Sequence, residues 1–160
     1  MRRYAVLVAA LAMVTAGCGA TTRGGTTTIQ TPASPSLTSA TATFVSRDHG
    51  KDEDSNLTVQ LLRQNAELMG EIRANNIKFD DKSSSGPFAF TPTGTFRRND
   101  IDDGQIRVTF VPDGQDDWTF DMSLVMRFDD GSTPPFLWRG LRLDNTETSR
   151  TLALATARVG

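Results

Sequence analysis

The 160-residue chain contains very few of the residues that build disulfide frameworks and zinc sites. It has one Cys and one His. A single Cys excludes an intrachain disulfide and a Cys-based zinc site, and a single His excludes a metal site made of several imidazoles. Glutamate is also scarce, because only four of the 19 acidic residues are Glu and 15 are Asp. Since Asp favours turns whereas Glu favours helices, this imbalance argues against a helical bundle.

The first 18 residues have the layout of a secretory signal. Two Arg residues near the start precede ten apolar residues over 5–14, and the small residues of Thr15-Ala16-Gly17-Cys18 follow. Ten apolar residues are too few to span a bilayer, which takes about 20. The Cys after Ala-Gly resembles the lipobox of bacterial lipoproteins, with Thr15 at a position where Leu is commonest. The resemblance implies cleavage before Cys18 and acylation of this residue by palmitate-like chains; the alternative is an ordinary secretory signal with an incidental Cys.

A signal of this kind divides the chain into three parts: a lipoprotein signal peptide over 1–17, the lipidated Cys and a tether over 18–40, and a domain over 41–160. The second part is rich in Thr, Ser, Gly and Pro, and it cannot bury enough apolar surface to offset the entropy lost on ordering. We therefore expect a flexible tether. The resemblance predicts a bacterial envelope protein that faces the periplasm or the exterior and meets the membrane through its N-terminal lipid.

The charge of the mature chain narrows the range of partners. Removal of Arg2 and Arg3 with the signal would leave 15 basic and 19 acidic residues, a net charge of −4. No basic stripe remains, so we do not expect nucleic-acid binding. A protein or a glycan is the remaining candidate partner.

Residues 118–128 give the clearest structural signal in the chain. The apolar residues alternate with more polar ones, which predicts a strand with one buried face. Asp130-Gly131 then predicts a hairpin turn. The return strand over 136–143 changes its apolar phase at Gly140, and this change predicts a β-bulge there. The apolar set of the first strand is Trp118, Phe120, Met122, Leu124, Met126 and Phe128.

Shorter alternating runs predict the other strands. Because strand signals recur between turns, the chain is expected to be all-β, an antiparallel β-sandwich of about seven to eight strands. For 57–74 an amphipathic helix is the alternative, which Gly70 disfavours. The additional strands are predicted at 42–46, 57–63, 68–74, 87–97, 104–111 and 150–156.

Four short strings, KDEDSNLTV, FDDKSSSGPF, VPDGQDDWTF and MRFDDGS, resemble a module of bacterial secreted proteins. The resemblance covers about residues 47–132. It implies a β-sandwich and indicates no particular ligand.

Acidic residues concentrate in the predicted loops at one end of the sandwich. Successive loops of an antiparallel sandwich alternate between its two ends, so 47–56, 80–86, 112–117 and 144–149 share one end, here called the acidic end. These loops hold 11 of the 19 acidic residues. Carboxylates spaced around a Gly suit Ca²⁺, which takes six to eight oxygen ligands, and the arrangement resembles the calcium sites of C2-like and carbohydrate-binding sandwiches. The predicted metal ligands are Asp48, Asp52, Asp54, Asp80 and Asp81.

The alternative for these acids is that they are solvated turn residues, because Asp caps nearby backbone N–H groups. Similarly, His49 is expected to be a solvated loop residue rather than a metal ligand. Trp118 and Trp138 are expected in the core, with an exposed sugar-stacking platform as the alternative.

Enzymatic motifs are missing from the sequence. It contains no H-E-x-x-H, no phosphate-binding loop and no G-x-S-x-G elbow. A glycosidase needs two positioned carboxylates, and nothing in the sequence supplies a partner for Asp121, the only carboxylate inside the 118–128 strand. We therefore predict a lipid-anchored envelope protein, not an enzyme, whose β-sandwich binds a ligand or serves a structural role. No cofactor is predicted firmly, and Ca²⁺ is the candidate stabiliser. The alternatives are an envelope hydrolase acting on a cell-wall or surface polymer, and an accessory subunit of an envelope complex.

Overall fold

The structure is a computed structural model and describes residues 33–47, 55–111 and 117–157. These residues form two antiparallel sheets of four and five strands, so the prediction of an all-β sandwich is confirmed. The order of the first sheet is β4-β1-β7-β8, and that of the second is β5-β3-β2-β6-β9. The elements are β1 Leu37–Ser46, β2 Asn56–Leu62, β3 Leu68–Ala74, β4 Ser84–Ala89, β5 Thr91–Pro92, α1 Arg98–Asp102, β6 Gln105–Val111, β7 Asp117–Phe128, β8 Pro135–Asp144 and β9 Ser149–Ala153.

The predicted hairpin and its bulge are both confirmed. β7 and β8 are joined by a turn in which Gly131 has a φ of +80°. Farther along β8, Arg139 and Gly140 together oppose the single residue Asp121 of β7, and Gly140 has a φ of +63°. A left-handed backbone at the extra residue suits Gly, which has no Cβ. The bulge restores the inward phase, so that the apolar residues on both sides of it are buried.

Three expectations about the strands differ from the structure. β1 begins at Leu37, inside the segment expected to be tether, because its first residues pair with β7 and bury Ala40. The single strand expected over 87–97 is wrong. The chain leaves the first sheet after β4, buries Phe90 between the sheets and joins the second sheet at β5. β9 ends at Ala153 rather than at 156, because residues 155–157 form a turn.

Local helix formation also differs from expectation. The helix considered for 57–74 is wrong, since β2 and β3 form a hairpin there. The short helix α1 was not predicted; it is held by the burial of Ile101 in the core. Within the described ranges, no helix is long and apolar enough to cross a membrane.

An aromatic cluster fills the core near the acidic end. The ring centroid of Trp118 lies 3.8 Å from that of Phe120 and 4.6 Å from that of Phe79. The Trp118 indole N–H donates to the Ser46 hydroxyl at 3.0 Å, and both residues are buried. Trp138 is buried as well, so the core placement of the two Trp residues is confirmed and the exposed sugar platform is wrong.

Candidate functional site

The strand directions bring the described parts of the acidic loops to one end. β1 is antiparallel to both β4 and β7, and β8 is antiparallel to β7. The end of β1 therefore lies beside the starts of β4 and β7 and the end of β8. Residues 80–83 and 145–148 flank these strands at that end. Of the predicted calcium ligands, Asp80 and Asp81 belong to this group, whereas Asp48, Asp52 and Asp54, like His49 and Cys18, lie outside the described residues.

Cations accompany several of the described carboxylates at the acidic end. Asp80, with a side chain that is 70% exposed, lies 3.1 Å from the Lys78 ammonium. The Arg142 guanidinium lies 2.8 Å from Asp117 and 3.6 Å from Asp144. No group of three or more His, Cys, Asp or Glu residues suited to a metal occurs among the residues that the structure describes. The calcium site thus stays a prediction that depends on the loop 48–54.

Asp144 closes the turn between β8 and β9. One of its carboxylate oxygens accepts hydrogen bonds from the Thr146 hydroxyl at 2.6 Å, from the Thr146 N–H at 2.7 Å and from the Glu147 N–H at 2.8 Å. The Thr146 hydroxyl, followed by these N–H groups, holds the pKa of Asp144 at about 2, below its usual 3.8. The geometry is that of an Asx turn, in which the charged form of the carboxylate is stabilised.

Asp121 is held by Arg47, which directly follows β1, and by the bulge of β8. Arg47 donates to its two oxygens through Nε at 2.9 Å and through Nη2 at 3.0 Å. The Gly140 N–H at the bulge donates to the same carboxylate at 2.7 Å. The sequence indicated the bulge but not this partner, because Arg47 is 74 residues away and is brought close only by the pairing of β1 with β7. Asp121 therefore locks the strand register on the outer face of the first sheet.

At the opposite end of the sandwich, hydrogen bonds hold the first residues of the domain in place. Residues 34–37, here called the N-terminal clamp segment, bond to α1 and to the β7–β8 hairpin. The Ser36 N–H donates to the Asp129 carboxylate at 3.0 Å, and the Asp129 N–H donates back to the Ser36 carbonyl at 3.0 Å. The Arg97 guanidinium donates to the Ser34 carbonyl at 2.8 Å, and the Leu37 N–H donates to the Phe96 carbonyl at 2.7 Å. The first residues of the domain are therefore fixed at this end.

Arg98 joins the helix to the hairpin beside this segment. Its guanidinium lies 4.5 Å from the centroid of the Phe128 ring and 3.6 Å from the Asp130 carboxylate, and it also donates to the Ser132 hydroxyl. The hydroxyl and N–H of Ser132, together with the charge of Arg98, lower the pKa of Asp130. The hairpin tip is consequently bound to the helix rather than free.

An apolar groove opens between the sheets at the edge formed by β1 and β3, and we call it the edge groove. Its cavity measures about 190 Å³, and its deep wall includes Leu61, Met69 and Phe90. It exists because β4 pairs with the second half of β1 alone, from Thr41 onward, so segment 90–96 crosses between the sheets beside the first half. The groove could not be predicted from the sequence, because segment 90–96 was expected to continue as a strand.

None of the 14 residues lining the edge groove is charged, although 22% of the chain is. Its buried aromatic walls are Phe90 and Phe96, and its rim includes the exposed residues Thr38, Ser39 and Thr95. An apolar concavity with a polar rim is the usual form of a site for small molecules. No protein-family model, curated protein or solved structure matches the chain.

Proposed function

We propose that the chain is a lipid-anchored envelope protein whose β-sandwich is a binding domain. The edge groove is the observation that carries the binding role, because it is an open cavity with an uncharged lining that reaches the buried core residues Leu61, Met69 and Phe90. The lipobox-like sequence that ends at Cys18 supports the anchor. The N-terminal lipid and the groove thus give the two parts of the function, attachment and ligand binding.

The clamp segment fixes where the folded domain begins and so sets the length of chain that can act as a tether. It holds Ser34 through the Asn99 side chain at 3.0 Å and through the Arg97 guanidinium. Ser34 lies 16 positions after Cys18 in the sequence. At no more than about 3.6 Å per residue, such a length reaches at most ~58 Å. Two or three acyl chains on one Cys are sufficient for stable anchoring.

Two of the described carboxylates, Asp144 and Asp121, have structural contacts that favour a role in the fold over a role in catalysis. A general acid in a glycosidase needs a raised pKa so that it carries a proton near neutral pH. Hydrogen bonds instead lower the pKa of Asp144 to about 2. Asp121 is engaged by Arg47 and by the Gly140 N–H, an arrangement that fixes strand register.

The anchor is tested by fractionating cells that express the full chain. A Cys18→Ala variant is expected to move from the membrane to the soluble fraction and to lose incorporation of labelled palmitate. Thr21→Ala serves as the matched control, since it lies beyond the lipobox and should stay with the membrane. Continued membrane association of the Cys18→Ala variant would reject the anchor.

A further inference from the structure

We propose that the edge groove binds a single-chain anionic amphiphile, such as a free fatty acid, with its hydrocarbon chain along β1 and its carboxylate beside Arg97. This inference names the ligand class of the proposed binding domain. It depends on the groove and not on the lipid anchor, so the two can be tested separately.

The shape of the groove suits an extended hydrocarbon chain. Five consecutive residues of β1, 37–41, line it, and at about 3.3 Å per residue they span ~13 Å. The opposite walls come from Leu61 and Met69 of the second sheet and from segment 90–96. The groove measures about 190 Å³ and is open at its polar rim, so a chain can enter it without separating the two sheets. An elongated apolar groove of this volume therefore favours a linear chain.

Hydrogen bonds hold the groove open in the absence of a ligand. The Phe90 N–H donates to the Ala40 carbonyl at 3.0 Å, and the Thr93 N–H donates to the Met69 carbonyl at 3.0 Å. The Thr93 hydroxyl also donates to the Leu68 carbonyl at 2.6 Å. The crossing segment is thus tied to both sheets, and a preformed site binds without a large cost in ordering its walls.

A cation lies at the end of the groove where β1 begins. Arg97 does not line the groove itself, but it follows the lining residue Phe96, and its backbone pairs with that of Ser36, next to the lining residue Leu37. Arg97 is exposed, and its guanidinium donates to the Ser34 carbonyl at 2.8 Å. Among the described residues this guanidinium has no carboxylate partner, since the Asp100 carboxylate accepts the backbone N–H of Arg97 instead. The nearby Arg63 is paired with Glu67 and Asp100. Since the Ser34 carbonyl does not neutralise its charge, Arg97 is the cation that an anionic head group would meet in water at the rim.

Binding is measured by isothermal titration of sodium dodecanoate, below its micellar concentration, into the full chain carrying Cys18→Ala. We expect saturable binding with one site per chain and weaker binding of dodecyltrimethylammonium, which has the same chain length and the opposite charge. An absence of saturable heat, or tighter binding of the cation, would overturn the proposal.

Variants of the groove locate the site. Leu37→Trp and Ala89→Trp each place a large ring in the groove from a lining position, and each is expected to weaken dodecanoate binding at least tenfold while near-ultraviolet circular dichroism stays native. Two positions are used so that misfolding of one variant leaves the other as the test. Unchanged binding in a folded variant contradicts the location.

Arg97→Gln tests the head group. An exposed ion pair is worth about 0.2–1 kcal/mol, so the loss is expected to be about 1.4- to fivefold for dodecanoate, with no change for the uncharged dodecyl maltoside. Arg139→Gln is the matched control, because Arg139 is exposed on β8 at the far edge of the same sheet. Equal losses in the two variants would remove Arg97 from the site.

A comparison with the lipidated protein identifies the source of the hydrocarbon chain. Dodecanoate is expected to bind the lipidated and the Cys18→Ala proteins equally. If only the Cys18→Ala protein binds, the groove holds the protein's own acyl chain, and the free amphiphile is overturned. If the fractionation experiment rejects the lipid anchor, dodecanoate binding to the Cys18→Ala protein and to the groove variants still tests the groove.

Discussion

The hydrogen bond between Trp118 and Ser46 gives the sharpest test of how the core is built. The indole N–H donates to the Ser46 hydroxyl at 3.0 Å; Trp118 is 0% exposed and Ser46 is 2% exposed. Trp118→Phe keeps an aromatic ring against Phe120 and removes the donor, whereas Ser46→Ala removes the acceptor. Either change alone leaves one buried polar group without a partner.

The expected magnitudes follow from that asymmetry. An unpaired buried donor or acceptor costs about 1–3 kcal/mol, so Ser46→Ala should lower the free energy of unfolding by that amount. Trp118→Phe should cost the same plus about 1 kcal/mol for the space left by the smaller ring. In the double variant neither partner remains, so its cost should fall short of the sum of the single costs by about 1–3 kcal/mol.

The assay is urea unfolding of the four proteins followed by far-ultraviolet circular dichroism. The matched control replaces Trp118→Phe by Trp138→Phe, because Trp138 is on β8 and is separated from β1 by β7. Its indole N–H has no hydrogen-bond partner among the described residues, so its combination with Ser46→Ala should be additive within about 0.5 kcal/mol. If the costs of Trp118→Phe and Ser46→Ala are also additive within about 0.5 kcal/mol, the hydrogen bond does not couple the two residues.

Three further predictions concern the turns and the acidic end. Gly140→Ala should lower the free energy of unfolding in urea by about 1–2 kcal/mol, because Gly140 has a φ of +63°, and Gly131→Ala, at +80°, should behave alike. An added Cβ would meet nothing within 4 Å at either position, so the cost would come from the backbone alone. Variants as stable as the wild-type protein would argue against this backbone origin. The pKa of Asp144 is about 2 in the folded protein and near 3.8 in the unfolded chain, so ionised Asp144 stabilises the fold at pH values above about 4. The urea midpoint should therefore fall as the pH drops from about 4 to 2, and it should fall less steeply in Asp144→Asn. An equal fall of the midpoint with pH in the two proteins would contradict this. Chelation of Ca²⁺ should lower the melting temperature if the acidic end binds it, and Asp80→Asn should abolish that shift while Asp103→Asn preserves it; no shift in the wild-type protein would reject the site.

Strands with strong alternation could be predicted from the sequence almost to the residue. β3 has the expected bounds, and β7 starts one residue before the expected 118. Their large apolar side chains at every second position specify both strand and buried face. The first half of β1 has no such signal: it carries small residues, and its pairing with β7, 89 residues away at Thr38, decides its conformation.

The candidate sites were less accessible to sequence reasoning. Strand alternation placed the described part of the acidic loops at one end, but their arginine partners depend on register. The edge groove depends on where β4 ends and on how segment 90–96 crosses between sheets. Neither property has a local sequence signal, because the crossing is set by the burial of Phe90 and Phe96 between the sheets.

The clamp segment also has a consequence for the order of folding. Ser34 and Ser36 bond to partners 63 and 93 residues later in the chain. The domain therefore cannot close on its first strand until the hairpin near Asp129 has been synthesised. Contacts between such distant residues are associated with slow folding. In a protein exported as we propose, late closure would leave the chain open for threading across the membrane and would complete the sandwich only after its last hairpin arrives.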